Sequence, residues 1–138
     1  MVELLAVVTV MGLAMSAAAT GLQSNVDDLE QSERLTESFF RLARARAMST
    51  TSAVKVLPSN AGRLYLEQAS TCSDATWSTH DELELRLPDG VRFDNVGWTV
   101  CFSSRGVADR HVVVDLSGPS NRGSRVEVTL GGGARIVR

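Results

Sequence analysis

The sequence predicts an α+β fold, with a long amino-terminal helix packed against an antiparallel β-sheet head. Three observations lead there. Helical periodicity runs from the start of the chain to about residue 51, first as an apolar run and then as an amphipathic segment. From residue 53 the period shortens to two, the repeat of a half-buried strand. The alternating segments then follow one another across turn residues, with no helix between them, which makes their pairing antiparallel. The 138 residues divide accordingly into 1–22, an apolar helix suited to a membrane or a packed fibre core; 23–52, its amphipathic continuation on the head; and 53–138, the β head.

The first nineteen residues, Met1 to Ala19, are almost unbroken apolar sequence carrying a single acid, Glu3. An ionised carboxylate in hydrocarbon costs several kcal/mol, so an acid in such a run calls for a partner or a role. Gly12 and the pair Thr20-Gly21 are points where this helix can bend. Beyond them Leu22, Val26, Leu29, Leu35, Phe39, Phe40, Leu42, Ala43 and Ala47 recur at three- and four-residue spacing and are expected to form one buried stripe. Acids (Asp27, Asp28, Glu30, Glu33, Glu37) fill the first part of the segment and arginines (Arg34, Arg41, Arg44, Arg46) its end. That order suits the helix dipole, and Glu30–Arg34 and Glu37–Arg41 have the spacing of surface pairs. A single helix over residues 3–51 would be roughly 70 Å long.

The head is expected to open with a strand at Ala53–Leu57, a turn at Pro58–Gly62 and a returning strand at Arg63–Glu67. Residues 69–80, rich in Ser and Thr around Cys72 and Trp77, read as a loop. Glu82–Leu87 alternates and places Leu83, Leu85 and Leu87 on one face. Strands follow at Val91–Asp94, Trp98–Phe102, His111–Leu116, Ser124–Leu130 and Ala134–Arg138, divided by glycine-bearing turns.

The net charge of −2 gives no overall basic field for nucleic acid or acidic lipid. The charge is uneven, however. Residues 24–90 carry 7 basic and 11 acidic side chains, whereas residues 91–138 carry 7 basic and 4 acidic. His80-Asp81-Glu82 lacks metal-ligand spacing, because adjacent residues at a loop-to-strand junction point different ways. No Gly-x-Ser-x-Gly elbow or base-orienting acid accompanies the serines. The expectation is a protein without catalytic residues, bound metal or cofactor.

Val2-Glu3-Leu4-Leu5, followed by Ala-Val-Val-Thr-Val-Met-Gly, resembles the start of a type IV prepilin or pseudopilin. In that family a basic leader ending in Gly precedes Phe-Thr-Leu-Val-Glu-Leu, and a membrane peptidase cuts after the Gly. Here Met1 stands two residues before the Glu. The expectation is that an upstream in-frame start supplies the leader; the competing reading is a product that is not processed. Leu42-Ala-Arg-Ala-Arg-Ala-Met48 and Cys101-Phe-Ser-Ser-Arg-Gly106 with the strands after it are similar to the GspH/FimT branch of the family. Two other readings of the terminal run stay open. One is a secretory signal cleaved near Thr20, although no basic residue precedes Arg34. The other is an ordinary membrane anchor, with about 17 apolar residues after Glu3 against the roughly 20 that span a bilayer.

The resemblance implies a minor pseudopilin of a type II secretion system or, alternatively, a minor pilin of a type IV pilus. It implies a single pass in a bacterial inner membrane with the head extracytoplasmic. Partners would be other pilin or pseudopilin subunits, the inner-membrane assembly platform and, where a leader exists, the prepilin peptidase. Glu3 would pair with the amino terminus of a neighbouring subunit and set its register, while Leu4, Leu5, Val7, Val8, Val10, Met11 and Leu13 pack the membrane or filament core. For an extracytoplasmic head, Cys72 and Cys101 are read as a disulfide, with two buried thiols as the alternative. Some FimT-type pilins used in DNA uptake carry Gly-Arg-x-Arg near the carboxyl terminus. Here Ala134 replaces the first Arg, leaving Arg135 and Arg138 as weak candidates for DNA contact, against a simpler role as edge-strand charges.

Overall fold

A computed structural model describes residues 27–138. Helix α1 (Asp28–Thr50) begins at Asp27, whose carboxylate accepts the Leu29 N–H at 3.0 Å, one of the donors a helix start leaves unpaired. It ends at Thr51, which turns left-handed at φ 49° and donates its N–H to the Ala47 carbonyl. The buried side is Leu29, Ser32, Glu33, Thr36, Phe39, Phe40, Ala43 and Ala47. Leu35 and Leu42, expected in the buried stripe, are exposed instead. They sit on one flank of the buried face, roughly 100–120° around the helix from its centre, and polar Ser32 and Thr36 take the inner positions. Both hydroxyls are satisfied within the helix, Ser32 on the Asp28 carbonyl at 2.6 Å and Thr36 on the Ser32 carbonyl at 2.8 Å. The Glu30–Arg34 and Glu37–Arg41 pairs form on the solvent side.

The head consists of β1 (Ala53–Asn60), β2 (Arg63–Ala69), β3 (Ser78–Arg86), β4 (Arg92–Phe93), β5 (Val100–Phe102), β6 (Val112–Ser117), β7 (Gly123–Val128) and β8 (Ala134–Val137). A short 3-10 turn at Pro119–Asn121 joins β6 to β7. The strands form two four-stranded sheets, ordered β3-β2-β1-β5 and β4-β6-β7-β8, and every pairing is antiparallel. The α+β expectation of one helix on antiparallel sheet therefore holds. In detail, β3 begins at Ser78, inside the stretch expected as loop, because its backbone pairs with Gln68 and Glu67 whatever its side chains. Its register then jumps: Leu66 faces His80 while Tyr65 faces Glu84, leaving residues 81–83 as a bulge. The strand expected at Trp98–Phe102 starts only at Val100. Asn95 stops it, by accepting the Gly97 N–H on its side chain and the Trp98 indole N–H on its carbonyl.

Phe40 is the centre of the core, which collects Phe93, Phe102, Leu64, Leu66, Leu116 and the inward valines of both sheets. Trp98 closes the core at 5.8 Å from the Phe40 ring and 6.4 Å from that of Phe93. The sheets are joined by backbone as well: Phe93 on β4 donates to the Ala61 carbonyl, in the turn between β1 and β2, at 2.7 Å. Cys72 and Cys101 form a disulfide with Cα atoms 5.9 Å apart. This bond draws residues 70–77 over the outer face of the first sheet, where Lys55 faces both Glu67 and Cys101 across the strands. The Lys55 ammonium lies 3.4 Å from Glu67 and 3.9 Å from the Trp77 ring centroid.

Candidate functional site

The polar side chains that hold helix to head concentrate at the two ends of α1. At its start, Asp27 pairs with Arg122, just before β7. Six residues on, Glu33 is only 6% exposed, accepts a hydrogen bond from the Ser124 hydroxyl, and takes the Arg138 guanidinium at 3.3 Å. A buried carboxylate needs such partners, since its desolvation is otherwise uncompensated. Around these groups lies a shallow cavity of about 380 Å³, also lined by Leu29 and Glu30. Acids and arginines alternate around it, and the Ser124 hydroxyl is committed to Glu33. The arrangement fastens helix to sheet; it offers no nucleophile poised beside a base.

At the other end, Arg44 donates its Nε to the Gly106 carbonyl at 2.9 Å. Gly106 and Gly132 both have left-handed backbones, at φ +80° and +87°, and the β7–β8 turn lies directly on the loop after β5. A Cβ on Gly132 would fall 1.9 Å from the Gly106 carbonyl oxygen, so only glycine fits there. Arg46 reaches the first sheet, contacting Gln68 Oε1 at 3.3 Å and His80 Nδ1 at 3.4 Å. Gln68 in turn donates to the Ser52 hydroxyl at 2.7 Å. Glu82, beside His80 at 3.2 Å, is held below its ordinary carboxylate range, first by its own backbone N–H and then by His80. With Arg46 turned towards it, His80 is poorly placed for a cation. Among the described residues no group of three or more His, Cys, Asp and Glu is arranged to hold a metal ion.

Glu3 and the packing residues Leu4, Leu5, Val7, Val8, Val10, Met11 and Leu13 lie outside the described residues. Arg135 and Arg138 are not brought together. Arg135 lies on the outer face of β8, with its Nε 2.6 Å from Glu127 on β7, whereas Arg138 turns inward to Glu33. His111 reaches the same Glu127 at 2.5 Å. Hydrogen bonds from Arg135 and then His111, followed by their charges, hold the Glu127 carboxyl below its usual range. Sequence reasoning missed Glu33. Its signal was spacing, since it falls four residues after Leu29 and seven before Phe40, on the buried face. Arg44, Gly106 and Gly132 had no local signal, because what joins them is a contact between two distant turns.

A helix packed on two antiparallel sheets, an α+β fold like that of pilin-type structures, positions all of these groups. No protein-family model and no curated protein matches the chain. Among solved structures it is similar to the minor pseudopilin EpsH of the Vibrio cholerae type 2 secretion system. The TM-score is 0.61 at 17% identity, over 80% of this chain and 97% of that one. It is similar also to the type IV minor pilin FimU of Pseudomonas aeruginosa strain PAO1, with a TM-score of 0.60 at 12% identity, over 80% of this chain and 88% of that one. At these identities the likeness is one of fold, and it agrees with the GspH/FimT resemblance of the sequence. Among the described residues no helix is long and apolar enough to cross a membrane.

Proposed function

We propose that the chain is a minor pseudopilin of a type II secretion system, helping to initiate or cap the pseudopilus that drives protein export. One observation carries the reading: a pilin-like head stands on a helix whose upstream sequence is an apolar run with one acid, Glu3. In this reading Leu4 to Ala19 packs in the inner membrane and later in the filament core, with the head outside the cytoplasm. Glu3 meets the amino terminus of a neighbouring subunit. Two opposite charges desolvated together attract strongly, and a slipped register leaves both unpaired, so the pair selects one axial position. Its partners are the other pseudopilins and the inner-membrane assembly platform and, where a leader exists, the prepilin peptidase.

Fractionation and complementation test this directly. The full chain should enter the inner-membrane fraction and restore secretion to a strain lacking it, and Glu3→Ala should abolish that rescue while leaving the head folded. A chain found only in soluble fractions, or a Glu3→Ala variant that assembles normally, would overturn the reading.

The similar score against FimU supports a second reading, a minor pilin of a type IV pilus. The two separate by phenotype, loss of exported protein against loss of piliation. DNA capture during uptake belongs to that second reading. It would require Arg135 and Arg138 to leave Glu127 and Glu33, and a gel shift weakened by Arg135→Ala and by rising salt would favour it.

A further inference from the structure

Beyond register, a filament subunit also needs contacts between heads, and the end of α1 remote from residue 27 carries an unusual surface. Met48, Val107 and Leu130 are 50%, 48% and 59% exposed there. They come from three separate elements that meet at one point. The Met48 side chain lies against Gly106, and Val107 follows Gly106 directly. Ala108, next along the chain, donates its N–H to the Leu130 carbonyl at 3.2 Å. Two arginines border the three apolar side chains. Arg44 is spent on the Gly106 carbonyl, and no carboxylate among the described residues pairs with it or with Arg105. The nearby acid, Asp109, is turned away onto the Cys101 N–H and Arg110.

We propose that this surface is a docking site for a neighbouring filament subunit that presents an apolar side chain flanked by carboxylates. The argument is charge complementarity around an apolar centre. Isolated exposed apolar residues are ordinary, but three converging from distant segments beside two cations without acids form a patch with a chemical preference. Acids on the partner would steer the encounter and fix its orientation, while Met48, Val107 and Leu130 are the area removed from water. A nucleic-acid backbone would satisfy the arginines but gives the three apolar side chains nothing to bury against. The loops are held in place by the Gly106–Gly132 contact, so the patch is formed before its partner arrives. This inference rests on the filament reading above, though its test reads the surface separately.

The test is photo-crosslinking in living cells of the native host, with the full chain carrying p-benzoylphenylalanine at Val107 or at Leu130. Val113, exposed on the outer face of β6, serves as the control position. Both patch positions should give an adduct with the same filament subunit, mapped to a peptide with Asp or Glu beside an apolar residue, and Val113 should not. Arg44→Glu combined with Arg105→Glu should reduce the adduct about tenfold, because like charges then face each other. Arg105→Glu alone, a change at an exposed side chain, should reduce it in the same direction with an unchanged thermal melt. Equal adducts at Val113, an adduct with a second copy of the chain or with DNA, or indifference to charge reversal would each overturn the proposal. Secretion and piliation are scored in the same strains. A chain that complements the strain without a patch-specific adduct sinks the surface alone, whereas a chain with no filament phenotype sinks the filament reading.

Discussion

The two ends of α1 are fastened to the head by different chemistry. At the start, charged side chains carry the attachment: Asp27 to Arg122, and Glu33 to Ser124 and Arg138. At the far end Arg44 grips a backbone carbonyl, and the loop that offers it is propped by a turn with glycine at the point of contact. The first kind of fastening tolerates small shifts, since long side chains can follow a moving partner. The second does not, because it depends on two backbones approaching closer than any Cβ allows. The difference teaches that the apex is set by shape and the base by charge, so they should fail under different perturbations.

The largest effect should come from the apex. Gly132→Ala adds strain at a left-handed residue and a clash with backbone, and should cost about 4 kcal/mol, lowering the thermal midpoint by more than about 10 °C. A midpoint within a few degrees of the parent would show that the loops yield easily and would erase the contrast. Next is the strap over the first sheet, which neither end of the helix controls. Replacing Cys72 and Cys101 together by Ala opens a 29-residue separation and should cost about 3 kcal/mol of unfolding free energy, seen as a lower midpoint in chemical denaturation.

At the base, Glu33→Ala should cost about 2 kcal/mol, by leaving the Ser124 hydroxyl unpaired and a small void beside Leu29. Arg138→Ala should cost under about 0.5 kcal/mol, because its side chain is mostly in water. Equal costs for the two would mean that the ion pair, rather than the buried hydroxyl contact, holds the base. The smallest effect is electrostatic and lies on the outer face of the second sheet. Glu127 has a depressed pKa, so its contribution to stability is complete above the ordinary value of 4.5 and is lost as pH falls through the lower folded value. Thermal melts across the acid range should therefore fall less steeply for Glu127→Gln than for the parent.

Much of this could be read from the chain. The acid-to-arginine order of residues 27–46 located α1 and its surface pairs; Pro58 to Gly62 located the first hairpin, although β1 runs on through Pro58 to Asn60 and only Ala61 and Gly62 make the turn. Alternation in residues 82–87 placed Leu85 inward. Alternation says which side of a strand faces the core and nothing about which strand lies beside it, so the division into two sheets was not legible. Nor was β5 joining β1 rather than β4. Leu35 and Leu42 misled because they keep helical spacing to the true core residues while lying on the outer side. Glu33 was hidden by its neighbours, as one of five acids that fill the first part of the segment.

The buried face of α1 runs along the whole helix, from Leu29 through Phe40 to Ala47, and its polar fastenings sit at both extremities. A pull along the helix axis from residue 27 would therefore load these attachments together, in shear, instead of peeling them one at a time. Mechanical resistance then scales with the length of the buried helix, whereas a helix anchored at one end would give way at its weakest contact. The contact between helix and head therefore bears load best along the axis of α1.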